Sequence, residues 1–203
     1  IGPHSGCGKT LFVSWLLGHV KGLGCLKLSP THEWPPGFPS GKKTIEGDFY
    51  LEDSALLTRP GKDTALYLAV GAAQVERLRH RASGLAAGLE AALERFRPSM
   101  PLVVESSTAA KLLSPVAVVL VVRPPIREMK PATRGVLSLV TDLLVNASDR
   151  EGAATAEAER LQREFPSLRP RFTFSADLIS EPPPEQMQAR LRNLLTPAAS
   201  LEG

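Results

Sequence analysis

The sequence predicts a three-layer α/β fold, with a mostly parallel central sheet flanked by helices. Short apolar runs alternate with amphipathic segments along the whole chain, the pattern that strand-helix-strand crossovers require. Residues 116–122 form a continuous apolar, β-branched run, as expected of a strand buried on both faces of a parallel sheet. A glycine-rich turn runs directly into an apolar helical segment at the start of the chain.

In order, residues 9–20 read as a first helix closed by Gly22 and Gly24, and 25–28 as a strand. Residues 30–60 are rich in Pro, Gly and charge and read as a long irregular segment. Then follow a helix over 64–72, a strand over 74–79, an amphipathic helix over 83–96 and a buried strand over 100–105. After the 116–122 strand, the pattern gives a helix over 130–140, a strand over 142–145, a helix over 153–165, a strand over 171–174 and a closing helix over 185–195. No internal repeat is evident. We expect one domain over 1–200, with 201–203 resembling a tag remnant. A glycine turn of this kind normally follows a strand, and only Ile1 precedes Gly2, so most of that strand is expected to lie outside this sequence.

Composition narrows the class. The 203 residues are 43% hydrophobic and 22% charged, enough for a sizeable core with an ordinary charged surface. The net charge of +3 is spread along the chain, which gives no support for a nucleic-acid partner. Two cysteines, Cys7 and Cys25, make no disulfide framework and fit a reducing, cytoplasmic setting. No apolar run reaches membrane-spanning length, so no membrane partner is expected.

The segment Gly2-Pro3-His4-Ser5-Gly6-Cys7-Gly8-Lys9-Thr10 carries the chemistry. Glycines let backbone N–H groups turn inward on an anion, and the helix behind adds its positive end. His4, Ser5, Gly6, Cys7, Gly8, Lys9, Thr10 and Leu11 are therefore the candidate phosphate-binding residues of a P-loop fold. Lys9 would neutralise the β- and γ-phosphates, and the Thr10 hydroxyl would ligate Mg²⁺. The strict pattern wants Gly where Pro3 stands, with Gly2 one place further back, so this loop is one residue longer.

Glu105 ends an apolar strand, where P-loop enzymes place a carboxylate at the metal shell or the attacking water; its other reading is an exposed acid at a strand end. Asp63 is the best placed of three loop acids, with Asp48 and Asp53, to give magnesium a further carboxylate. The candidate metal set is thus Thr10, Asp63 and Glu105, and the candidate catalytic pair Lys9 and Glu105. Asn146 and Asp149, three apart after a buried strand, match the spacing of a guanine-reading pair, Asp149 accepting from the N1 and N2 groups that adenine lacks. Ala147 replaces the usual lysine of that pattern. One strand later, Ser175 and Ala176 resemble the element that brings a backbone N–H to the guanine oxygen. Asn and Asp after a strand are also common turn and cap residues.

With these residues in hand, the chain resembles the adaptor proteins of molybdopterin-guanine dinucleotide biosynthesis. That group sits in a wider class with dethiobiotin synthetase, nickel-insertion GTPases and cobyrinic acid amidases. The resemblance rests on Gly2 to Thr10, on Leu26-Lys27-Leu28-Ser29-Pro30-Thr31-His32, on Arg59-Pro60-Gly61-Lys62-Asp63-Thr64 with Val70-Gly71-Ala72, and on Val103-Val104-Glu105. It covers roughly the first half of the chain. Departures are Ser106 in place of a glycine, and His32 as the one representative of a histidine pair. The resemblance implies a Mg²⁺-dependent, slowly hydrolysing GTP-binding adaptor that works as a homodimer with a cofactor-biosynthesis enzyme, in molybdenum cofactor assembly for its nearest group. The alternatives are an ATP-dependent ligase or amidase, with Lys27 and Lys62 on substrate, and a metallochaperone GTPase. His32, Cys7, Trp34 and Phe38 read as loop residues, and Arg123, Arg127 and Lys130 as solvated charge after the central strand.

Overall fold

The computed structural model describes residues 1–31, 48–126, 128–147 and 152–195. His32, Trp34, Phe38, Arg127, Asp149 and the 201–203 tail lie outside the described residues. The chain divides into two compact units, Leu17–Ala109 and Ile1–Leu16 with Ala110–Gly203. Helix α1 (Lys9–His19) runs from the one sequence range into the other.

The Leu17–Ala109 unit contains β1 (Gly24–Pro30), β2 (Phe49–Leu51), α2 (Ser54–Leu57), α3 (Asp63–Ala69), β3 (Gln74–His80), α4 (Leu85–Leu93) and β4 (Leu102–Glu105). Its sheet has the order β2-β3-β1-β4, with β1 parallel to both β3 and β4 and β2 antiparallel to β3. The register aligns Lys27 with Arg77 and Glu105, and Leu28 with Leu78. Side chains alternate along a strand, so one face is polar and the other apolar. α4 covers the apolar face, where a Cβ on Gly88 would come within 2.8 Å of Leu78 and of Phe49. α3 covers the polar face, since the Tyr67 hydroxyl reaches Glu105. Helices on both faces give this unit three layers.

The other unit contains β5 (Val119–Val122), α5 (Pro131–Arg134), β6 (Asp142–Asn146), α6 (Ala153–Glu164), β7 (Phe172–Ala176) and α7 (Glu185–Leu195). Its three strands are parallel, in the order β5-β6-β7. Leu120, Val122, Leu143 and Val145 from the sheet join Ala158 and Leu161 of α6 in one buried cluster. α7 is tied to the base of β6 through Arg190, which donates to both oxygens of the fully buried Asp142 carboxylate at 2.6 and 3.1 Å. Ile1 lies along β5, donating to Val119 O at 2.9 Å and accepting from Val121 N at 3.0 Å.

The α/β class and the parallel pairing agree with expectation; four details differ. The strands of the described residues form two hydrogen-bonded sheets rather than one central sheet. Residues 48–60 hold β2 and α2 instead of irregular chain, with Asp53 capping α2 through Leu56 N at 3.0 Å. The strand expected over 116–122 begins at Val119, and Val116 is 69% exposed. The helix expected over 130–140 is a single turn, α5, followed by the 3₁₀ turn Leu137–Leu139. Gly135 caps α5, and Val136 leaves helical geometry at φ −121. No helix among the described residues is long and apolar enough to cross a membrane.

Candidate functional site

The Gly2 to Thr10 segment leaves the edge of β5 and enters α1 with two glycines at positive φ, Gly6 at 78° and Gly8 at 104°. A side chain at either would be strained, so both glycines belong to the loop's geometry. Gly2 is required for another reason. A Cβ there would meet Cys7 Sγ at 2.5 Å and Val121 O at 3.0 Å. The glycine displaced by one position from the strict pattern thus answers to the buried Cys7 thiol packed against it.

Lys9 folds back over the loop, its Nζ donating to His4 O at 2.8 Å and standing 3.4 Å from Cys7 Sγ. An ammonium held by a carbonyl and a thiol, without a carboxylate in that set, keeps its charge available to an anion. α1 carries no acid in its first turn, which favours negative charge at its start. Thr10 is the second residue of α1, Ser5 and Gly6 are exposed, and Leu11 is 41% exposed.

Three groups outside the segment hold the loop in place. Thr133 of α5, fully buried, donates its hydroxyl to Gly2 O at 2.9 Å, and Lys130 N donates to Pro3 O at 3.2 Å. Asn146, at the end of β6, donates from Nδ2 to Cys7 O at 3.2 Å and accepts at Oδ1 from Leu178 N at 3.0 Å. Its amide lies so close that a Cβ on Gly8 would fall 2.5 Å from Nδ2. Asn146 therefore joins the loop to the chain that follows β7. Ser175 and Ala176 are the last residues of β7, with Ala176 fully buried and Ser175 Oγ buried without a hydrogen-bond partner.

Beyond Asn146 opens a cavity of about 750 Å³ at the carboxyl ends of β5, β6 and β7. That is where open parallel sheets bind ligands. Arg123, Pro124, Asn146, Ala147, Asp177 and Ile179 contribute to its wall.

The other predicted residues meet in the Leu17–Ala109 unit. Lys27 Nζ bridges Asp63 Oδ2 at 2.6 Å and Glu105 Oε2 at 2.7 Å. Tyr67 OH donates to the same Glu105 oxygen at 2.6 Å, and Lys27 lies 5.9 Å from the centre of the Tyr67 ring. Burial works against the Lys27 ammonium, but Glu105 first and Asp63 with it outweigh that cost and hold its pKa above the ordinary value. On the same strand, burial pushes the fully buried Cys25 thiol far up, and Glu105 adds to the effect. Glu105 is thus a buried, hydrogen-bonded carboxylate rather than an exposed acid. Asp63 and Glu105 are brought together as expected, around an ammonium. Thr10, the third member of the expected metal set, belongs to the other unit. Among the described residues no three His, Cys, Asp or Glu side chains gather as a metal site.

Sequence reasoning passed over Thr133, which carries no motif, and Ile179, and it set Arg123 aside. Arg123 had one usable signal: it directly follows an apolar parallel strand. The fold is that of an α/β protein whose strands pair in parallel, apart from the antiparallel β2. Comparison of the chain with protein-family models, with curated proteins and with solved structures finds no match in any of the three.

Proposed function

We propose that this chain binds a nucleoside triphosphate, its phosphates resting on the Gly2 to Thr10 loop and its nucleoside lying toward the cavity beyond Asn146. The observation that supports this most is the loop itself. Two positive-φ glycines, a helix start free of acids and the Lys9 ammonium converge on one short segment. The arrangement suits an anion of several charges.

In this reading Lys9 leaves His4 O to meet the phosphates. The Thr10 hydroxyl would hold Mg²⁺, which supplies charge neutralisation and is otherwise served by phosphate oxygens and water, as is usual for that ion. Thr133 and Asn146 keep the loop backbone in place from two sides. The sequence pair Asn146 and Asp149 favours GTP over ATP, and Asp149 lies outside the described residues. Glu105 already accepts from Lys27 and Tyr67. We therefore assign it no step in the slow, adaptor-like hydrolysis proposed for this chain. Lys27, carrying two carboxylates, lends no support to the ligase reading.

Equilibrium titration with GTP, ATP and inorganic tripolyphosphate tests the proposal. Wild type should bind all three in the presence of Mg²⁺, GTP most tightly, and Lys9→Ala should bind none detectably. Retained affinity in Lys9→Ala would refute the phosphate assignment.

A further inference from the structure

Three arginines line the cavity at the ends of β5, β6 and β7, and they are not equivalent. Arg160 is locked to its own helix, with Nε and Nη2 on Glu157 at 3.0 and 2.8 Å and Nη1 on Glu164 at 2.7 Å. Arg163 faces Glu159 at 3.8 Å. Arg123 is exposed, and among the described residues no hydrogen bond or ion pair holds it. Opposite in chemistry is Ile179, a large apolar side chain that also lines the cavity and yet is 67% exposed.

Strand order places these two residues. β6 runs between β5 and β7 and ends at Asn146, with Ala147 next in the chain. Arg123 follows β5 directly, and Ile179 follows β7 by three residues. The chain therefore brings them in from opposite flanks of Ala147, whose methyl leaves the floor between them low. A space bounded by a guanidinium on one flank and a branched alkyl group on the other suits a flat, aromatic ligand. Guanidinium stacks on such a ring, and an aliphatic side chain covers its second face without a polar requirement.

We propose that Arg123 and Ile179 clamp the two faces of the planar heterocyclic base of the bound nucleotide, Arg123 supplying a guanidinium plane and Ile179 an apolar cover. The inference rests on the triphosphate reading and adds to it the residues that hold the base. The clamp acts on ring faces, whereas hydrogen bonds to ring edges choose between bases. It therefore contributes equally to GTP and ATP.

The test is a binding matrix of GTP, ATP and inorganic tripolyphosphate against wild type, Arg123→Ala, Arg123→Lys, Ile179→Ala and Lys9→Ala. Arg123→Ala and Ile179→Ala should each weaken GTP and ATP by the same factor, about tenfold from the usual worth of one stacking contact, and leave tripolyphosphate affinity unchanged. Arg123→Lys should fall between wild type and Arg123→Ala, because it keeps the charge and loses the plane. A parallel loss for tripolyphosphate would make Arg123 a phosphate contact and overturn the clamp. Unchanged nucleotide affinity in both alanine variants would overturn it as well. Failure of the underlying reading has a different signature, namely wild type that binds no phosphate ligand or Lys9→Ala that binds all of them; either result would remove the clamp with it.

Discussion

Cys25 and Lys27 stand two residues apart on β1, and in both the fold favours the protonated form. For Cys25, burial is the main cause; the folded thiol keeps a proton that the unfolded chain releases above its ordinary value of 9.0. Its contribution to stability is therefore complete below that value and is lost as pH rises beyond it. Lys27 behaves likewise one step later, with a contribution complete below 10.5 and lost as pH climbs through the raised folded value. Urea unfolding followed from neutral pH upward should show stability falling from about pH 9, and Cys25→Ala should lose the first part of that fall. An unchanged profile in Cys25→Ala would place the fall on other groups. The buried character of Cys25 was legible, since it lies in an apolar run. The partners of Lys27 were not, because Asp63 and Glu105 are 36 and 78 residues away and only pairing of β1 with β4 and packing of α3 bring them together.

Among the elements, α5 is short yet holds the Gly2 to Thr10 loop. Its Thr133 hydroxyl serves Gly2 O, so Thr133→Val keeps the shape and strands a buried carbonyl. The expected cost is about 1–3 kcal/mol in unfolding free energy, with Thr133→Ser close to wild type. A Thr133→Val protein as stable as wild type would show that the carbonyl finds another donor. α5 also shows where sequence periodicity misleads. The apolar residues over 130–140 fit a helix, but Gly135 and the β-branched Val136 favour ending one, and nothing local announces that Thr133 is needed 131 residues away. β2 was illegible for a related reason. Three residues are too few to carry a period, and β2 exists through its antiparallel pairing with β3. α1, α6 and α7, at 11, 12 and 11 residues, were legible because several turns repeat their pattern.

At the scale of the whole molecule, one unit is built from both ends of the sequence range and the other from its middle. Alternation of strands and helices is a local property, so the α/β class could be read directly. Strand order is not local. The places where β1 sits between β3 and β4, and β6 between β5 and β7, follow from contacts that composition does not encode. The candidate site divides the same way: the Gly2 to Thr10 loop is contiguous and was read residue by residue, whereas the cavity wall gathers Arg123, Ala147 and Ile179 from three strand ends and was not.

Asn146 has a consequence that reaches past geometry. With Nδ2 on Cys7 O and Oδ1 on Leu178 N, one amide is shared by the Gly2 to Thr10 loop and by the chain that walls the cavity. A ligand that settles one neighbourhood would act on the other through this amide, and thermodynamic linkage makes such an effect reciprocal. Guanosine should tighten inorganic tripolyphosphate, and tripolyphosphate should tighten guanosine, by one and the same factor. Asn146→Ala should bring that factor toward unity, even where each ligand alone still binds. Calorimetric titration of each compound with and without the other measures it. A wild-type factor of one would mean that the two halves of a nucleotide are held by this protein as strangers.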